Sequence, residues 1–86
     1  MANHLSAKKR IRQSVTRTAV NRARRSEMRS QVRSVEQAIE NGDKDAATAA
    51  MALAAPSLHR STRKGLVHRN AAARKISRLT KSINAL

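Results

Sequence analysis

Aromatic residues and cysteine are absent from this 86-residue chain, which also holds only two glycines, one proline and five acidic side chains. Without aromatics it cannot stack bases as sequence-tolerant single-strand binders and the common sheet-based RNA modules do. Without cysteine it has neither a disulfide framework nor a thiolate zinc site, a composition that fits a reducing cytoplasm. No run approaches the roughly 18 apolar residues of a membrane span, and the N-terminus lacks the apolar stretch of a secretory signal, so a soluble, unexported protein is expected. A Gly-rich phosphate loop and paired carboxylates are missing too, and so short a chain has little core from which to shape a pocket. His4, His59 and His68 are too scattered to hold a metal. These absences argue against an enzyme, a cofactor, a metal centre and a small-molecule substrate.

What the chain has in excess is positive charge. Nineteen Lys and Arg residues give a net charge of +14, and they are unevenly placed. Residues 1–35 carry ten basic side chains and one acidic one, residues 36–59 one basic and four acidic, and residues 60–86 eight basic and none acidic. Such a chain repels itself when compact and needs a polyanion in its working state, most commonly a nucleic-acid backbone. Lacking aromatics, it should grip phosphates and shape. A basic, Ser-containing N-terminus also characterises organelle transit peptides, but here the C-terminal block is as basic and no boundary separates a presequence from a mature domain.

Gly42, Pro56 and Gly65 divide the chain into three segments. Nothing breaks a helix over about 6–41, where Ser6 is an N-cap candidate and Asn41-Gly42 a C-terminal stop. A second helix is expected over about 43–64, with Asp43 as its cap and Asp45 at its positive end. Its apolar residues Ala47, Met51, Ala54 and Leu58 hold one phase through Pro56, so a kinked or locally broken helix is expected rather than two independent ones, although an interior proline costs roughly 3 kcal/mol. The third helix is expected over about 66–86, with the stripe Ala72, Ile76, Leu79, Ile83 and Leu86. The matching stripe of the first is Met28, Val32, Val35 and Ile39. Three stripes with short connections predict one all-α domain, an antiparallel three-helix bundle with an extended, protruding first helix.

The N-terminal half of the first helix is the exception. Projected at about 100° per residue, Arg10, Arg17 and Arg24 fall near the azimuth of Met28, Val35 and Ile39, and arginines do not continue a buried stripe. The bundle should therefore begin near Met28 and leave Ser6 to about Glu27 as a basic arm. Around that arm Lys8, Lys9, Arg10, Arg12, Arg17, Arg22, Arg24 and Arg25 point in nearly all directions, which suits a cleft between RNA segments. About thirteen Val, Ile, Leu and Met side chains are available for the core, which predicts a marginal bundle whose arm orders on binding. Two cationic stripes, Arg22, Arg25, Arg29 and Arg33 on the first helix and Arg74, Arg78 and Lys81 on the last, have almost no acidic neighbours and are candidates for phosphate contact.

Two other binding classes share the charge. An architectural DNA-binding protein would often add an apolar wedge or a dimer seam, and a membrane-active helix would want Trp, Phe or Leu opposite its cations; the arm offers only Ile11, Val15 and Val20.

Specific stretches add to this reading. Ala2-Asn3, Ser6-Ala7-Lys8-Lys9-Arg10, the turn Ala38-Ile39-Glu40-Asn41-Gly42-Asp43-Lys44 and, most specifically, Lys64-Gly65-Leu66-Val67-His68-Arg69-Asn70-Ala71-Ala72-Ala73-Arg74-Lys75 closely resemble the family of bacterial small-subunit ribosomal protein twenty, over essentially the whole chain. The resemblance implies a three-helix bundle that binds 16S ribosomal RNA directly during 30S assembly, contacting the 5′ domain and the long helix of the 3′ minor domain, beside other small-subunit components in the cytoplasmic ribosome. It places Ser6, Lys8, Lys9, Arg10 and Arg12 at the start of the RNA-embedded helix, and Lys64, His68, Arg69, Asn70 and Arg74 at the turn into helix three. Around Pro56 the chain is richer in Ala than the family pattern, a departure that concerns the packing of the second helix.

Overall fold

The computed structural model describes the backbone of residues 2–86 and the side chains from Leu5 onward. Three helices follow one another: α1 (Ala2–Glu40), α2 (Lys44–Arg63) and α3 (Arg69–Asn84). α2 folds back along the C-terminal part of α1, and α3 returns along α2. The interface of α1 with α2 is the most extensive, and that of α1 with α3 the least.

Both turns end a helix in the same way. After α1, the Gly42 amide donates to the Ile39 carbonyl and the Asp43 amide to the Ala38 carbonyl, each at 3.0 Å. After α2, Gly65 donates to Thr62 at 3.1 Å and Leu66 to Ser61 at 2.9 Å. Each pair forms a Schellman motif around a left-handed glycine, with φ of +71° at Gly42 and +74° at Gly65. Asp43 then caps α2, accepting the Ala46 amide at 3.1 Å, and Asp45 lies in the first turn.

Three expected boundaries move. Ser6 is not an N-cap: Ala2–Leu5 are already helical, so no chain reversal leaves an amide for its hydroxyl to serve. The third helix starts at Arg69 instead of Leu66, because residues 64–68 form the connection and His68, extended at φ −67° and ψ 138°, is its cap. It ends at Asn84, which leaves Leu86 outside the helix and 41% exposed instead of completing the apolar stripe.

α2 runs through Pro56 without interruption. Pro56 and Ala52, whose carbonyl loses its amide partner there, both lie on the exposed side, where water can satisfy the freed acceptor. The core itself is smaller than thirteen large side chains. Among the described residues its buried apolar members are Val35, Ala38, Ala47, Ala54, Leu58, Ala72, Leu79 and Ile83, half of them alanine, while Met28, Val32, Ile39, Met51 and Ile76 are only half-buried. Ala47, Ala54, Ser57 and Ser61 make a seam of small buried residues along α2, which lets α1 and α2 approach closely. Val35, Leu79 and Ile83 are covered at the centre, but Met28, Val32, Ile39, Met51 and Ile76 at its margins have too few neighbours in so small a bundle to be fully covered.

The molecule measures 64 × 21 × 15 Å, and the excess length is the N-terminal part of α1. Every side chain from Leu5 to Val20 is exposed. Burial begins earlier than Met28: Asn21 is half-buried, and Arg24 and Glu27 face the end of α2.

Candidate nucleic-acid interface

A helix exposed on every face must hold its conformation chiefly by its backbone bonds. In the free arm these are supplemented by the Thr16 hydroxyl, which donates to the Arg12 carbonyl at 3.1 Å. Ser6, Lys8, Lys9, Arg10, Arg12 and Arg17 all project from this segment into solvent. Their cations are not spread over the full circle: Ala7, Ile11, Val15 and Thr18 form an uncharged strip, with Ile11 62% and Val15 65% exposed. By helical projection this strip continues the line of Arg22, Arg25, Arg29 and Arg33 toward the N-terminus.

At the arm's root the elements converge. Arg24 and Glu27 of α1, Ser57, Arg60 and Ser61 of α2, and Lys64 and Leu66 of the following turn line a cleft of about 230 Å³. Arg24 thus sits where the buried azimuth of α1 runs out of apolar partners. On the neighbouring face, Met28, Val32, Leu58, Val67, Ala71 and Ala72 floor an open groove of about 380 Å³ between α1 and α3, edged by Arg29, Arg33, Glu36 and Lys75. Arg29 and Arg33 of the first cationic stripe therefore stand on the rim of this groove, while Arg22 and Arg25 are exposed on α1 and line neither the groove nor the cleft.

The second stripe is not brought together with the first. Arg74, Arg78 and Lys81 lie on the face of α3 opposite Ala72, Leu79 and Ile83, directed away from the other helices. Between the two lies the α2–α3 turn. There His68 Nδ1 accepts the Asn70 amide at 3.1 Å, closing the N-terminus of α3. With Nδ1 accepting, the ring N–H is on Nε2 and is directed outward as a donor. Arg69 and Asn70 are exposed beside it.

The cations remain available. Among the described residues the one ion pair is Lys75 Nζ with Glu36 Oε1 at 2.7 Å, half exposed and contributing less than about 1 kcal/mol. Glu40, Asp43 and Asp45 gather at the α1–α2 turn, the pole opposite the arm. Sequence reasoning missed Ser57, Arg60 and Ser61. Arg60 stands four residues before Lys64, a legible spacing, but nothing local places Arg24 across from them. The described residues contain no group of His, Cys, Asp or Glu that could hold a metal ion, and no helix is long and apolar enough to cross a membrane.

The family comparison agrees with this geometry. The model of the family described as Ribosomal protein S20 matches residues 2–84. The small ribosomal subunit protein bS20 of Rhodopseudomonas palustris (strain TIE-1) is 57% identical over all 86 residues and 98% of its own length. The protein of the same description from Beijerinckia indica is 54% identical, covering 100% of this chain and 99% of the relative, and that from Chelativorans sp. is 51% identical, covering 100% and 98%. A basic three-helix chain matched from end to end by such relatives belongs to the ribosomal protein S20 family, whose members are structural proteins of the ribosome and not enzymes.

Proposed function

We propose that this chain binds 16S ribosomal RNA directly and stabilises its fold during assembly of the small subunit. As a member of the S20 family it is a small-subunit protein of the cytoplasmic ribosome. The observation that carries the direct-binding reading is the free arm: a 16-residue stretch, Leu5 to Val20, that buries nothing against its own chain and carries cations unpaired by any acid among the described residues. A helix of that kind reduces repulsion where RNA segments pack together, because its cations replace the counterions that the phosphates would otherwise hold. Specificity would then come from RNA shape and 2′-hydroxyl contacts.

The RNA-contacting set on this reading is Ser6, Lys8, Lys9, Arg10, Arg12, Arg17, Arg22, Arg24, Arg25, Arg29 and Arg33 on α1, Lys64, His68, Arg69 and Asn70 at the α2–α3 turn, and Arg74, Arg78 and Lys81 on α3. The partners are the 5′ domain and the long helix of the 3′ minor domain, with other small-subunit components alongside. Cross-linking of the chain to RNA in bacterial lysate, followed by mapping of the joined nucleotides, tests this. Clustering in the 16S 5′ domain is the expected result; diffuse contacts over mixed RNA or DNA would count against it.

A further inference from the structure

The cleft at the arm's root combines features that core packing does not explain. Ser57 and Ser61 are each only 5% exposed, and among the described residues neither hydroxyl is bonded to another residue; each oxygen stays open to the cleft. Thr16, Ser34, Thr48 and Thr62 return their hydroxyls to the carbonyl one turn back, at 2.9 to 3.1 Å; the other helical serines without that bond, such as Ser14, Ser26 and Ser30, are exposed to water, whereas Ser57 and Ser61 are buried. Ser57 and Ser61 line the cleft instead, one turn apart on the face of α2 that looks toward Arg24. Their side chains are too short to fill the space left where α2 ends and α1 runs on as the arm.

Three cations and one carboxylate share that lining: Arg24, Arg60 and Lys64 against Glu27. Among the described residues none of them is in an ion pair, so the cleft holds a net positive charge that the chain itself leaves unbalanced. Two neutral donors at the base and three cationic donors at the rim make a complementary surface for a small, singly charged, oxygen-rich anion. Glu27 disfavours a doubly charged group more than a singly charged one.

We propose that this cleft seats one phosphodiester of the bound RNA backbone, with the Ser57 and Ser61 hydroxyls and the Arg24, Arg60 and Lys64 cations donating to its oxygens. The proposal rests on the direct-binding reading above and adds a fixed point to it. A phosphate held there joins α1, α2 and the α2–α3 turn at the point where α1 runs on as the arm.

Affinity of the full-length chain for a 16S rRNA transcript, measured across a salt series beside urea unfolding, tests it. Ser57→Ala with Ser61→Ala removes only the hydroxyls and keeps the small seam. It is expected to leave the unfolding midpoint equal or higher, weaken binding about tenfold, and leave the salt slope unchanged. Arg60→Gln is expected to weaken binding and reduce the slope by about 0.7 to 0.9, whereas Arg63→Gln, outside the cleft, changes both far less. Wild-type affinity in the serine variant, with Arg60→Gln behaving like Arg63→Gln, would overturn the phosphate seat while leaving direct RNA binding intact. If the unaltered chain shows no preference for 16S rRNA over duplex DNA, both the seat and the reading beneath it fail. Should the serine variant not fold, the Arg60 and Arg63 pair decides alone.

Discussion

Gly42 and Gly65 meet nothing within 4 Å of where a Cβ would stand, so the demand on them is purely conformational. Replacing either with Ala keeps the space and strains the left-handed backbone, and each substitution is expected to cost about 1 kcal/mol, read as a lower urea midpoint with an unchanged slope. His68 separates two roles in one side chain. His68→Ala removes the acceptor for the Asn70 amide and is expected to cost about 1 kcal/mol of stability, whereas His68→Ser retains a cap. A drop in RNA affinity in the serine variant at unchanged stability would then report the outward Nε2 donor; equal affinity would confine His68 to capping.

Among the elements, α2 is the one working against its own sequence. Pro56 withholds the amide that Ala52 would otherwise receive, and its ring faces solvent, so no packing depends on it. Pro56→Ala is therefore expected to stabilise the bundle by about 2 kcal/mol, the helix gain less the added freedom of the unfolded chain, and a fall in the urea midpoint would show that the proline shapes the α1–α2 seam. The arm carries the opposite character, a helix built from side chains that repel one another at the i, i+4 spacing of Lys8 and Arg12. Lys8→Glu with Arg12→Glu would introduce acids without touching the core. Binding to 16S rRNA should weaken, with a salt slope flatter by about 0.7 to 0.9 for each phosphate left unneutralised; unchanged affinity and slope would remove the arm from the interface.

At the scale of the whole molecule, charge is polarised along the 64 Å axis. Cations occupy the arm, its root and the α2–α3 turn and continue along the outer face of α3 as Arg74, Arg78 and Lys81, while Glu40, Asp43 and Asp45 gather at the far turn beside Lys44, so a polyanion is drawn to the arm and to α3 and repelled at that turn. With half of its buried apolar residues alanine, a marginally stable bundle is expected, and the arm adds repulsion without adding burial. Helicity of the free chain is accordingly expected to rise when rRNA is added, most of the gain coming from residues 5–20. Far-UV circular dichroism, with the RNA contribution subtracted, checks this. A free chain that is already fully helical and melts cooperatively would show that the arm needs no partner.

The helices, their stripes and their two glycine stops were legible because each depends on residues within a few positions of one another: Val35 and Ile39, Ala54 and Leu58, Leu79 and Ile83 share faces by helical spacing alone. So was the arm, since arginines at the azimuth of an apolar stripe mark where burial ends. The start of α3 was less legible. Leu66 and Val67 keep an apolar rhythm whether they sit in a helix or, as they do, half-buried in the connection before a histidine cap. The chain itself thus determined charge, helical periodicity and the placement of breaks. Only tertiary structure decided which residues from different helices meet. Arg24 faces Ser57, Arg60, Ser61 and Lys64 because small residues let α1 and α2 approach and because α2 ends where α1 continues. That juxtaposition depends on residues far apart in the chain and on the shape of the space between them, neither of which local spacing encodes.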